Sequence, residues 1–179
     1  REGVDDIAAA VAFLRGQYGA TLPLVLVGFS FGGPSSMAEA ALSLTDPARS
    51  LGPLAGIVTL GTGLRTAPGG SLVQVGRSLR GGASRSEPHD YGGADSEACV
   101  DAYAAEGLPL LMAHGLEDVT VDPRASGCIF ERAAGPKGAA WLRGADHQME
   151  ARFDALLALL LEWIPALLSA ARPDAPRAD

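Results

Sequence analysis

Gly28-Phe29-Ser30-Phe31-Gly32 sets a serine between two glycines in the pattern G-x-S-x-G. A serine hydroxyl becomes a nucleophile toward acyl carbon when a base takes its proton and an acid orients that base. The chain offers three histidines as the base: His89, His114 and His147. His147 stands in Gly144-Ala145-Asp146-His147, and His114 opens His114-Gly115-Leu116-Glu117-Asp118. The acid can be Asp118, Asp146 or Asp122. Asp146 adjoins His147, and neighbours in sequence seldom face each other for a side-chain bond, which favours Asp118.

The elements around these residues decide whether they can meet. Val4 to Tyr18 repeats apolar residues at helical spacing, with Asp5 and Asp6 in the first turn, where carboxylates favour the helix dipole. Leu22 to Phe29 is a continuous apolar run, the pattern of a strand covered on both faces in a parallel sheet. It ends at Ser30, and an Ala-rich helix over about Ser35 to Leu44 follows. Further strands are expected at Leu54–Leu60, Leu108–Ala113 and Ala139–Leu142. Helices are expected at Ser96–Glu106, Pro123–Ala134 and Met149–Leu168. This alternation predicts an α/β protein, a mostly parallel sheet of about four strands with helices on both faces. Ser30, Asp118 and His147 then all follow strand ends, at the sheet edge where open α/β folds bind ligands. On a tight strand-to-helix turn, Ser30 is held up at that edge and the Phe31 N–H faces a developing oxyanion. The same turn also fits an ordinary helix-capping serine.

The 179 residues suffice for a core without disulfides or metals. An apolar fraction of 47% and a charged fraction of 20% exclude a disordered or fibrous chain. A net charge of −7 with no basic stripe argues against a nucleic-acid partner. Cys99 and Cys128 have no metal-ligand spacing to each other or to a histidine, and they fit a reduced, intracellular, cytoplasmic protein. The longest apolar stretch, Ala155 to Leu168, falls short of the ~20 residues that span a bilayer, so no membrane span is expected. Leu64 to Gly107 is Gly-punctuated and carries Arg65, Arg77, Arg80, Arg85 and His89. Apart from the helix at Ser96–Glu106, it reads as loop or a small lid, and 172–179 as a disordered tail.

Leu26-Val27-Gly28-Phe29-Ser30-Phe31-Gly32-Gly33 resembles the nucleophile elbow of the α/β-hydrolases, particularly the dienelactone hydrolase-like and small serine esterase-like members. Met112 to Val121 resembles the H-G-x-x-D-x-x-V segment that carries the acid, and Gly144 to His147 the G-A-D-H segment that carries the base. The order Ser, Asp, His is also that of this fold. The resemblance spans about Val4 to Ile164. It implies Ser30 as nucleophile, Asp118 as acid, His147 as base and the Phe31 backbone as oxyanion donor, with the His114 ring structural. The implied activity is a serine hydrolase cleaving a small-molecule ester or other acyl bond, with no metal or organic cofactor. A hydrolase-fold binding or scaffolding module is the alternative.

The elbow of that family follows a fifth strand; here it follows the first. Residues 1–171 are therefore expected to be a partial hydrolase domain that lacks the N-terminal half, including the loop that supplies a second oxyanion donor. Ser30 would then follow an edge strand, and the isolated chain would be poorly stable and weakly active.

Overall fold

A computed structural model describes residues 2–63 and 96–171. The expectations for His89, the four loop arginines and the tail lie outside those residues. Among the described residues, four helices and four strands alternate first: α1 (Glu2–Tyr18), β1 (Leu24–Phe29), α2 (Gly32–Thr45), β2 (Leu54–Leu60), α3 (Ser96–Glu106), β3 (Leu110–Gly115), α4 (Pro123–Arg132) and β4 (Lys137–Leu142). A short 3-10 turn, Glu150–Arg152, then leads into α5 (Phe153–Ala170). The expected elements are all present, with ends moved by a few residues. The largest shift is at α5, which begins four residues after the expected Met149, and α2 begins three residues before the expected Ser35. Strand β3 begins and ends two residues later than its apolar run and so takes in His114 and Gly115. The ladder explains this, because His114 and Gly115 pair with Trp141 and Leu142 of β4.

The strands form one parallel sheet in the order β1-β2-β3-β4. Successive side chains of a strand point to opposite faces, so each strand feeds two cores. Leu26, Ile57, Leu110 and Met112 pack on one face with Val4 and Val11 of α1, Met37 of α2, Val100 and Tyr103 of α3 and Ile129 of α4. Val58, Leu60 and Ala113 pack on the other with Met149 and with Leu156 and Leu167 of α5. Helices thus cover both faces. Residues 33–40 of α2 are all buried, wedged among α1, α3 and the sheet. Complete burial of one such side chain, Met37, contributes about 1.5–3 kcal/mol. The Tyr103 hydroxyl donates to the Met37 carbonyl and fastens α3 to α2.

Strand β1 lies at one end of the described sheet and pairs only with β2. Leu26 is buried, yet Val27 and Phe29 stay 45% and 42% exposed, so the apolar run does not bring burial on both faces here. Helix α5 also departs from its reading. With the preceding 3-10 turn it runs Glu150–Ala170, 21 residues at a mean hydropathy of 1.7, long and apolar enough by length and composition to cross a membrane. One stripe of it, Leu156, Leu160, Trp163, Leu167 and Leu168, lies against the sheet, while Leu157 and Leu161 are exposed. Cys99 and Cys128 are not joined by a disulfide.

Candidate active site

Ser30 sits between β1 and α2 with φ +53°. A non-glycine residue rarely adopts this left-handed conformation, and it persists only where the surroundings impose it. Here the Ser30 N–H donates to Leu60 O at 2.8 Å, and the Ser30 carbonyl accepts from Gly33 N at 3.0 Å. The turn is so tight that a Cβ on Gly28 would overlap the backbone of Gly32 and Gly33. The close approach explains the first glycine of the G-x-S-x-G pattern; at Gly32 a Cβ would meet nothing within 4 Å. Phe31 follows as the N-terminal flanking residue of α2, where helix N–H groups lack helical partners and favour negative charge.

Asp118 lies in the turn after β3 and is 3% exposed. Its Oδ1 accepts from the N–H groups of Thr120 and Val121, each at 2.8 Å. Its Oδ2 accepts from His147 Nδ1 at 2.7 Å and from His114 Nε2 at 3.1 Å. Burial alone would raise the pKa of this carboxyl. The His114 bond, the Val121 amide and the bond and charge of His147 outweigh burial and hold it at about 2.

His147 completes the arrangement, with Nε2 2.8 Å from Ser30 Oγ. The three residues favoured by the sequence therefore form one unbroken line of hydrogen bonds, Ser30–His147–Asp118. Asp146 is not part of it: its Oδ1 accepts from the amides of Gln148 and Met149 at 3.1 Å each. Nor is Asp122, which caps α4 by accepting from Arg124 N at 3.0 Å and pairs with the Arg124 guanidinium. His114 is fully buried inside β3.

Two residues that support His147, Glu117 and Arg152, carry no sequence signal, whereas Gly115 is the glycine of the H-G-x-x-D pattern. The Glu117 N–H donates to Ala145 O at 3.0 Å, and Glu117 Oε2 accepts from Gly144 N at 2.7 Å. Arg152 Nε donates to Arg143 O at 2.7 Å. A Cβ on Gly115 would overlap the backbone of Ala145 and Asp146, so only glycine lets the His147 loop lie against β3. The Phe29 ring rests against the imidazole of His147, centroids 5.2 Å apart and tilted by 35°. Met149 is wholly buried, and the Phe31 ring packs near Gly3 of α1.

No family model matches the chain, and no curated protein does. Solved structures do. The esterase domain of a Rhodothermus marinus protein aligns over 94% of this chain and 68% of its own, at 23% identity and a TM-score of 0.59. Est1E from Butyrivibrio proteoclasticus aligns over 92% and 69%, at 17% identity and a TM-score of 0.65. A Paleococcus ferrophilus monoacylglycerol lipase aligns over 93% and 75%, at 17% identity and a TM-score of 0.57. With its parallel sheet and helices on both faces, the chain has the α/β-hydrolase fold.

Proposed function

We propose that the protein is a serine hydrolase that cleaves a small-molecule ester or other acyl bond. The observation that carries this reading is the line of hydrogen bonds from Ser30 Oγ through His147 to Asp118, at 2.8 and 2.7 Å. In this reading His147 Nε2 accepts the Ser30 proton as Oγ attacks the acyl carbon. The Nδ1–H of His147 stays on Asp118, whose ionised carboxylate stabilises the imidazolium that forms. The Phe31 N–H, at the start of α2, is the proposed donor to the oxyanion. His147 then returns the proton to the leaving alcohol or amine as the tetrahedral intermediate collapses. Water, deprotonated by the same imidazole, releases the acid and restores Ser30. The esterase and lipase neighbours favour an ester as the substrate class.

A binding module of the same fold has no need of a strained serine joined to a buried carboxylate through an imidazole. The deciding experiment is labelling with a fluorophosphonate, in which Ser30 Oγ attacks phosphorus and fluoride leaves. Labelling at Ser30 that disappears in Ser30→Ala is expected. An unlabelled protein, or labelling that survives the substitution, returns the reading to the binding module.

A further inference from the structure

We propose that His114 is a positioning residue for this reaction, holding the same Asp118 oxygen that His147 uses. The inference rests on the serine-hydrolase reading for its kinetic consequences only. His114 lies on β3, fully buried, with its ring between Asp118 and Ser126. Its Nε2 is 3.1 Å from Asp118 Oδ2 and 3.1 Å from Val121 O. A carboxylate and a carbonyl only accept, so Nε2 must carry a hydrogen. On the other side, Nδ1 is 2.6 Å from Ser126 Oγ, which is in turn 3.0 Å from Thr62 O. The single Ser126 proton serves one of these two acceptors. If it turns to Nδ1, the ring is neutral; if it turns to Thr62 O, Nδ1 donates to Ser126 and the ring is doubly protonated. Both arrangements leave the one Nε2–H shared between Asp118 Oδ2 and Val121 O.

That oxygen is therefore shared between two imidazoles. The charged and titratable groups that face Asp118 among the described residues are His114 from β3 and His147 from the loop before α5. Nearby acids are engaged elsewhere: Glu117 with the Gly144 amide, Asp122 with Arg124, and Asp146 with the Gln148 and Met149 amides. His114 does two things to the acid. It fixes the carboxylate plane, so that Oδ2 stays under His147 Nδ1. It also takes up part of the oxygen's hydrogen-bonding capacity, which tempers the pull of Asp118 on His147.

The test compares His114→Leu, which has no donor, with His114→Gln, whose amide N–H reaches about as far as Nε2. In His114→Leu, kcat toward p-nitrophenyl acetate is expected to fall about tenfold, the size of one charge-assisted hydrogen bond, with KM within about twofold. The acidic limb of kcat/KM is expected to move to higher pH, and the low-field proton resonance of His147 Nδ1–H to move further downfield. His114→Gln should restore most of all three. A Leu variant with the wild-type limb and resonance, or a Gln variant no better than Leu, overturns the proposal and leaves His114 as core packing. Should His114→Leu not fold, His114→Asn replaces it, because its amide is too short to reach Oδ2. If fluorophosphonate fails to label Ser30, the hydrolase reading fails, while the His147 resonance still decides the role of His114.

Discussion

Asp118 and Glu39 are both buried carboxylates, and their surroundings drive them in opposite directions. Asp118 meets four donors: two amides on one oxygen and two imidazoles on the other. Glu39, on α2, is wholly buried but has one partner, Arg49, whose Nη2 lies 2.7 Å from Oε2. Its Oε1 has no hydrogen-bond partner among the described residues. Burial raises the pKa of Glu39, and the hydrogen bond and charge of Arg49 offset this only in part, with Asp5 adding to the rise. At Asp118 the donors win and the carboxyl falls to about 2. Burial thus does not by itself decide whether an acid is ionised. The number of N–H groups aimed at it does, and that number is highest where the proposed chemistry needs a permanent negative charge.

The largest effect that would sharpen this contrast is expected at Asp118. Asp118→Asn should lower kcat for ester hydrolysis by about 10³–10⁴-fold, because an amide no longer holds His147 in the required tautomer. A loss below tenfold, measured on p-nitrophenyl acetate, would break the comparison by showing that the charge is dispensable.

The next effect is on stability at acid pH. A carboxyl whose folded pKa lies at about 2, against an ordinary 3.8, stabilises the fold above pH 3.8 and loses that contribution as pH falls through about 2. The loss amounts to about 2 kcal/mol between those limits. Urea unfolding over pH 2–5 should show it, and Asp118→Asn should flatten that slope.

Glu39 predicts the opposite sign. Its raised pKa means that the folded protein takes up a proton before the unfolded chain does, so stability rises as pH falls toward the ordinary value of 4.5. Glu39→Gln should abolish this rise and change stability at neutral pH by no more than ~1 kcal/mol, because it removes the buried charge while Arg49, which is part-exposed, keeps Asp5 as a partner. It should leave hydrolysis unchanged. A Glu39→Gln variant as damaged in activity as Asp118→Asn would erase the distinction between the two sites.

Most of what builds the site was legible in the residues. The apolar runs at Leu54–Leu60 and Leu22–Phe29 marked strands, and Ser30 at the end of the latter marked the tight turn. Asp118 and His147, each a few residues beyond a strand, could be placed at the same edge from spacing alone. Ser126, Glu117 and Arg152 could not. Each acts through a contact with a distant segment, as when Ser126 reaches Thr62 O, and no local pattern announces such a contact. The apolar run ends at Ala113, which by hydropathy places His114 after its strand. A histidine satisfied on both nitrogens can continue a buried strand, which hydropathy alone does not reveal.

The straps around His147 carry a mechanical consequence. Asp118 and His147 belong to one piece: Glu117 grips the 144–145 backbone, Gly115 lets the two loops lie against each other, and the acid and base are bonded within it. Ser30 belongs to another, hung from Leu60 of β2. The two meet through the Ser30–His147 bond, the Phe29 ring on that imidazole, the Ser126–Thr62 bond and the β2–β3 ladder, which Gly61 N extends by donating to Ala113 O at 2.9 Å. The acid–base pair is thus a preassembled cartridge, and its alignment with the serine depends on how β3 sits against β2. A distortion that slides β3 against β2 breaks that alignment while the cartridge stays whole, so the protein would lose its activated serine well before it lost its paired histidine.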